Sequence, residues 1–280
     1  MASQAPADST SPPGVPSPAI ETDHLRREYG EVVAVNDLAL TVDRGVIFGL
    51  LGPNGAGKST TIKMLTTLLP PTRGSARVAG FDVVRDAAEV RRRIGYVPQL
   101  LSADGGLTGR ENLTLSAKLY RLPRPERGER IRTALAFMEL EAAADHLVRT
   151  YSGGMIRRLE LAQAMLHQPQ VLFLDEPTIG LDPVARLAVW ERLRDLRGRG
   201  GITILLTTHD MEEADELCDH LVIMHQGVVA LAGRPADLKA GIGEGATLDD
   251  VFIQSVGGAI GEGGSYRDVR RLRSTARRLG

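Results

Sequence analysis

Residues 52–60 read Gly52-Pro53-Asn54-Gly55-Ala56-Gly57-Lys58-Ser59-Thr60, or GPNGAGKST. The apolar run Val46-Ile47-Phe48-Gly49-Leu50-Leu51 precedes them, as a buried strand would. A helical pattern follows from Thr60 to Leu69. Strand, glycine loop, lysine, hydroxyl and helix in this order form the Gly-x-x-x-x-Gly-Lys-Ser pattern of a phosphate-binding loop. Each residue type has a chemical reason to be there. Glycines let successive backbone N–H groups turn inward around phosphate oxygens, and the helix start adds roughly half a positive charge. Lys58 suits the β- and γ-phosphates, and the Ser59 hydroxyl suits Mg²⁺. Gly52 through Thr60 are therefore the candidate nucleotide-contacting residues. The bland alternative, a glycine turn with a solvated lysine, does not account for the strand and helix on either side.

A second half of the site reads at Val171-Leu172-Phe173-Leu174-Asp175-Glu176. Four apolar residues in a row suit a strand covered on both faces. They deliver two adjacent carboxylates to the strand's C-terminal end, where ligands of open α/β sheets sit. Asp175 suits the Mg²⁺ shell. Glu176 suits a water that attacks the γ-phosphate. Standing alone, the two acids could simply close a turn before Pro177.

The rest of the chain organises around these motifs. Residues 1–19, MASQAPADSTSPPGVPSPA, hold almost no bulky apolar group and read as a disordered tail, with order beginning near Ile20. From about 20 to 97, short β-rich runs alternate with turns around the one helix after Lys58. From about 100 to 168 the pattern is mostly helical, starting with a capping box at Thr108-Gly109-Arg110-Glu111. Asp182-Pro183 opens a helix whose core stripe is Leu187, Trp190, Leu193 and Leu196, closed by Gly198 to Gly201. Ile202 to Leu206 is the next buried strand. Strands alternating with helices imply a mainly parallel sheet.

Bulk properties limit the function classes. The chain has 280 residues, a net charge of -1 and 42% hydrophobic residues. That suits one large domain with a small appendage and argues against a general nucleic-acid coat. The single cysteine, Cys218, excludes an internal disulfide framework and suits a reducing compartment. No apolar run reaches the roughly 18 residues of a membrane span, and the start lacks the basic and apolar regions of a secretory signal. The expectation from these features is a cytosolic chain.

Tyr151-Ser152-Gly153-Gly154-Met155 resembles the signature of ABC-type ATPases, usually Leu-Ser-Gly-Gly-Gln. Other motifs follow that family's order. Tyr96-Val97-Pro98-Gln99 looks like the Q-loop, Gly180-Leu181-Asp182 the D-loop and Thr207-Thr208-His209-Asp210 the H-loop. Tyr29 matches the aromatic that stacks on adenine, although a partly buried core tyrosine reads the same way. Singly, Gln99, His209 and Asp182 are an ordinary loop residue, a structural histidine and a helix cap. Their order reverses that preference.

The resemblance covers about residues 20–255. It implies an α/β, P-loop ABC-type ATPase domain with a mainly parallel core sheet, an antiparallel β subdomain and a helical subdomain at about 100–168. A short C-terminal extension at about 233–255 and a linker and basic tail at 256–280 follow. It further implies two ATPase subunits paired head to tail, with Ser152, Gly153 and Gly154 touching the partner's ATP. Gln99 then senses Mg²⁺ and the attacking water, His209 contacts the γ-phosphate, and Asp182 communicates across the dimer. Tyr151 keeps an apolar body in place of leucine, whereas Met155 removes an amide. The Tyr-Ser-Gly-Gly-Met form and Thr247-Leu248-Asp249-Asp250-Val251-Phe252 are similar to ATPase subunits of the daunorubicin-resistance type of drug exporter.

The implied partner is a separate integral membrane permease, which holds the chain peripherally at the cytoplasmic face of the membrane, with no nucleic acid. Leu100–Tyr120 is the candidate contact, unless that stretch is only the helical segment's own core. The basic stretch Tyr266–Gly280, with six arginines, reads first as a solvated tail and second as a lipid-surface helix. A soluble ABC-type ATPase that remodels a nucleic-acid or ribosomal complex is the competing class. The interval between the phosphate loop and the signature is too short for the long coiled coil of the repair type. The translation type carries two units per chain, and here there is one.

Overall fold

The computed structural model describes residues 17–257. The expected N-terminal tail up to residue 16, most of the glycine-rich linker and the basic stretch 266–280 lie outside the described residues. The chain opens with β1 (Ile20–Tyr29) and β2 (Val32–Val42), a hairpin, followed by β3 (Ile47–Leu51) and α1 (Lys58–Leu65). Next come β4 (Arg73–Val78), β5 (Phe81–Asp82), α2 (Ala87–Arg93) and β6 (Ile94–Val97). A helical stretch holds α3 (Gly109–Leu119), α4 (Arg124–Phe137) and α5 (Gly153–Met165). Strands and helices then alternate through β7 (Val171–Asp175), α6 (Pro183–Gly200), β8 (Thr203–Thr208), α7 (Met211–Leu217) and β9 (His220–His225). The last elements are β10 (Val228–Gly233), α8 (Pro235–Ile242) and α9 (Leu248–Gly257).

Two sheets result. The larger has the order β10-β9-β3-β8-β7-β6, parallel throughout except for β10. The smaller, antiparallel sheet has the order β2-β1-β4-β5. Its inner strands β3, β7 and β8 are buried on both faces, which explains their largely apolar runs. Because successive side chains of a strand point to opposite faces, each run feeds two cores. Ile47, Leu51, Leu172, Leu174, Ile204 and Leu206 join Trp190 and the helical stretch in one core. Phe48, Leu50, Val171, Phe173 and Leu205 join the small sheet and α1 in the other. Cys218 is buried behind Gly49, where an added Cβ would lie only 2.7 Å from its Sγ.

Strand register positions the site. Leu51 pairs with Thr208, Asp175 with Thr207 and Val97 with Leu174. The C-terminal ends of β3, β6, β7 and β8 therefore finish at one level. There they present the phosphate loop, Gln99, Asp175-Glu176 and His209 side by side.

Several local expectations are corrected. The helix after the phosphate loop stops at Leu65, not Leu69. Thr67 takes a left-handed φ of 65°, and the Leu68 N–H closes the turn on the Lys63 carbonyl at 2.9 Å. A second helix, α2, lies in the segment read as strands and turns; its only buried residue is Val90, so it carries no apolar stripe. On α6, Trp190, Leu193 and Leu196 are buried but Leu187 is 56% exposed. Steps of three residues fall about 60° short of a full turn each, so Leu187 ends on the side opposite Leu196 and Val189 takes the buried position. The first turns of α6 approach α5 at Ala185, whose Cβ would lie 2.7 Å from any Cβ at Gly154. The tail reading also ends too late, since Ala19 is buried and its N–H donates to Val42 at 2.8 Å.

The capping box at the start of α3 is present in full. The Glu111 N–H donates to the Thr108 hydroxyl at 3.1 Å, and the Thr108 N–H donates to the Glu111 carboxylate at 2.8 Å. Thr108→Ala should destabilise the fold by about 1 kcal/mol, read as a lower urea midpoint at an unchanged slope.

Candidate functional site

The phosphate loop is shaped by what glycine leaves out. Gly57 has φ 102°, and a Cβ there would sit 2.4 Å from the Ala34 carbonyl oxygen. At Gly52, with φ 150°, it would sit 2.3 Å from the Met224 carbonyl oxygen. The loop thus packs against β2 and β9 too closely for side chains at these two positions, which fixes its backbone in place. The first turn of α1 has no acidic residue and no side-chain cap, leaving its N–H donors unspent. This arrangement fits a phosphate group.

Lys58 is only 5% exposed. Its Nζ donates to the Gly52 carbonyl at 2.6 Å and to the Pro53 carbonyl at 3.3 Å. It lies 3.6 Å from Glu176 Oε1. Burial pushes the ammonium below the usual lysine range, and the carboxylates of Glu176 and Asp175 resist that shift. Asp175 accepts from the Ser59 hydroxyl at 3.0 Å and from the Thr207 hydroxyl at 2.6 Å. A hydroxyl and a carboxylate at this separation are hard oxygen donors that suit Mg²⁺. Among the described residues no group of three or more His, Cys, Asp or Glu could hold a metal, so further ligands would be oxygens of other kinds, from an amide such as that of Gln99, from phosphate or from water.

Glu176 is buried and its backbone has a left-handed φ of 50°, an unfavourable conformation for a non-glycine residue. Its N–H holds that conformation by donating to the Thr207 hydroxyl at 3.0 Å and to the Thr207 carbonyl at 3.1 Å. One carboxylate oxygen faces Lys58. The other lies 2.9 Å from His209 Nδ1 but out of line for a hydrogen bond, so this buried oxygen lacks a donor. Such an oxygen is placed to take a proton from a water molecule.

The other candidate residues are distributed around this centre. Gln99 is exposed two residues past β6, beside the end of β7. His209 is half-exposed at the end of β8. Asp182 caps α6, accepting from Val184 at 3.0 Å and Ala185 at 2.9 Å. Ser152 caps α5, accepting from the Met155 N–H at 3.3 Å, and Gly153 follows in the open. No hydrogen bond or ion pair joins Ser152, Gly153 or Gly154 to residues 52–60 within the chain. Tyr29 is 46% exposed at the tip of β1, with the Arg27 guanidinium 4.8 Å from its ring centre. At this exposure it is not a core tyrosine. Tyr151 is buried, its hydroxyl donating to the Ala143 carbonyl at 2.6 Å.

Sequence reasoning missed Glu213, Thr178 and Thr207. Glu213, on α7, accepts from the Thr178 hydroxyl at 2.7 Å and from Trp190 Nε1 at 2.9 Å. It thereby ties the helix after His209 to the loop that leads from Glu176 to Asp182. A small cavity of about 190 Å³ opens there, lined by Glu176, Thr178, His209 and Glu213 among others. The available signal was a glutamate beside buried Ala214, one turn before buried Leu217.

Comparison with known proteins adds to this geometry. The family described as ABC transporter matches residues 35–179. The daunorubicin/doxorubicin resistance ATP-binding protein of Streptomyces peucetius is 46% identical over 228 residues, 81% of this chain and 69% of that protein. The Nod factor export ATP-binding protein I of Rhizobium meliloti (strain 1021) is 47% identical over 230 residues, 82% of this chain and 68% of that protein. A dimeric ATP-binding cassette, solved in a post-hydrolysis state bound to ADP and Pi, matches with a TM-score of 0.68 at 27% identity, over 77% of this chain and 98% of that one.

Burial holds the Glu213 carboxyl above the ordinary carboxylate range, against the hydrogen bonds it accepts. A raised native value favours the protonated folded form. Its stabilising share is therefore complete below the unfolded value of about 4.3 and is lost as pH rises through the native value. Urea unfolding of the parent and Glu213→Gln across this range should show the parent losing stability relative to the variant as pH rises, then levelling off.

Proposed function

The chain belongs to the ABC transporter family as an ATP-binding subunit, and from that premise we propose that it powers a separate membrane permease in export. The observation that carries the mechanism is the Glu176 carboxylate, set between Lys58 Nζ at 3.6 Å and His209 Nδ1 at 2.9 Å. In this reading ATP phosphates replace the Gly52 and Pro53 carbonyls as partners of Lys58, with the N–H groups of residues 54–60 around them. Ser59, Asp175 and Gln99 would hold Mg²⁺, which would supply positive charge against that of the phosphates. Glu176 orients the attacking water and accepts its proton as the new bond to the γ-phosphorus forms and the bond to ADP breaks. His209 keeps the water and γ-phosphate in line. Tyr29 stacks on adenine.

Two such subunits complete each other's sites. Ser152 and Gly153, both exposed, and Gly154, buried behind them against Ala185, are bonded to nothing in their own phosphate loop and meet the partner subunit's ATP. Asp182, on the loop next to them, communicates across the dimer. The divisions expected from sequence serve this assembly: residues 20–255 as the ATPase unit, with a helical part near 100–168 and an extension near 233–255.

The permease docks on the helical side. Leu100 is 81% exposed and Leu119 73%, with Leu101, Leu115 and Tyr120 also open to solvent. Of these, Leu119 and Tyr120 line a groove of about 300 Å³ together with Tyr96, Ser102, Ser116, Glu160 and Gln163. An exposed apolar rim around a polar floor is an interaction surface. Among the described residues no helix is long and apolar enough to cross a membrane, so membrane attachment comes through this partner. The cargo proposed is a drug, antibiotic or other hydrophobic compound, supported by the name of the Streptomyces relative. A relative of equal identity is named for Nod factor export, which favours the permease as the part that selects the cargo.

Two variants separate binding from chemistry. Glu176→Gln should bind ATP as the parent does yet lose about 10²- to 10⁴-fold in kcat, because an amide is no base. Lys58→Ala should instead weaken ATP binding by about 10- to 100-fold, through loss of a charge-assisted contact. Glu176→Gln locked with Mg-ATP should also recover one polytopic membrane protein in stoichiometric amount from native membranes. Recovery of soluble partners alone would refute the exporter reading.

A further inference from the structure

Two charged side chains on α5 lie outside the centre described above, yet both are buried: Arg157 is 1% exposed and Glu160 3%. They stand one turn apart and pair at 2.9 Å. Their other bonds converge on one segment. Arg157 Nη1 donates to the Pro98 carbonyl at 2.8 Å, and Nη2 donates to the Gln99 carbonyl at 2.9 Å. Glu160 Oε1 accepts from the Ser102 backbone N–H and from the Ser102 hydroxyl at 3.0 Å. Residues 98–107 contain no helix or strand, so this clamp is the main restraint on the segment's start.

Burying an ion pair commonly costs more in desolvation than its attraction returns, so stability is a weak reason for the arrangement. Arg157 Nε has no partner at all, which adds to the cost. The effect of the pair is geometric. It fastens the segment that carries Gln99 to the helix that begins with Gly153 and Gly154. The same Glu160 and Ser102 form part of the floor of the helical-side groove.

We propose that Arg157 and Glu160 are positioning residues that make the Gln99 segment and α5 move as one body. A displacement of Gln99 at the nucleotide then carries Ser152–Gly154 and the groove floor with it, and a partner pressing on the groove acts back on Gln99. The inference rests on the ATPase reading above and adds the link between its nucleotide, dimer and permease surfaces.

The test is a double variant, Arg157→Met with Glu160→Gln. It removes both charges together and so leaves no lone buried ion. In the full chain, amide hydrogen exchange at residues 98–103 should speed up by about tenfold or more, with the rest of the core unchanged. ATP affinity should stay at the parent value while kcat falls by about 10- to 100-fold, the cost of a catalytic group held slightly out of place. Arg157→Lys keeps the charge but lacks the fork that reaches two carbonyls and a carboxylate at once, and should show the same changes in smaller measure. If the double variant fails to fold, Arg157→Lys decides on the same readouts. Parent-like exchange at 98–103, or parent-like kcat in a folded variant, overturns the proposal. A parent that binds ATP without turnover counts against the ATPase reading, and the exchange result then decides the clamp independently.

Discussion

A buried ammonium sets the terms of this molecule. Lys58 has almost no contact with solvent, and a charge removed from water has to find opposite charge or hydrogen-bond acceptors nearby. Two loop carbonyls and the Glu176 carboxylate meet that demand. They are in reach only because β3 and β7 flank β8 in parallel and end together. Slipping either strand by one residue would turn its buried side chains to the opposite face and withdraw the carboxylates from the lysine. Thr207, from β8 between them, ties the two acids by bonding both the Asp175 side chain and the Glu176 backbone. The electrostatics of the site and the register of the sheet are therefore one constraint.

The same sheet divides the molecule. One face packs against the small antiparallel sheet and α1, and the other against α5, α6 and the helical stretch. Nucleotide-facing groups on the strand ends thus sit between two cores with different partners. The first is close to Tyr29 and the phosphate loop. The second leads through α5 to the groove beside Tyr120, whose ring stacks on His167 at 3.7 Å. Segment 98–107 is the connection between them and has little regular structure of its own. Its geometry is accordingly set by side chains from α5.

Much of this was legible in the sequence, and the rest was hidden for physical reasons. The strands at 47–51, 171–175 and 203–208 show as largely apolar runs without polar alternation because both their faces are covered. The phosphate loop, the capping box at Thr108 and the cap at Asp182 are local, and local chemistry is written in consecutive residues. By contrast, α2 carries a single buried residue and leaves no periodic mark. Leu187 lies three residues before Trp190, but repeated steps of three drift from the helical period, and over Leu187 to Leu196 the drift turns Leu187 to the solvent side. Arg157, Glu160 and Glu213 are charged residues in positions where apolar ones are expected. Apart from the Arg157–Glu160 pair itself, their partners lie about 20 to 60 residues away, and nothing in the local pattern names them. The Glu176 carboxylate was legible as a base, while its left-handed backbone depends on Thr207 and was not.

One small packing detail has a practical consequence for labelling chemistry. Cys218 is the chain's only cysteine, it is buried, and it lies in the space that the missing side chain of Gly49 leaves free. Burial also pushes its thiol well above the ordinary cysteine range, so the reactive thiolate is scarce as well as inaccessible. Toward a maleimide or a spin-label reagent the folded chain thus behaves as though it had no cysteine. A thiol introduced at an exposed position such as Ser152 or Leu100 would be the single point of attachment, without any need to disturb the native core first.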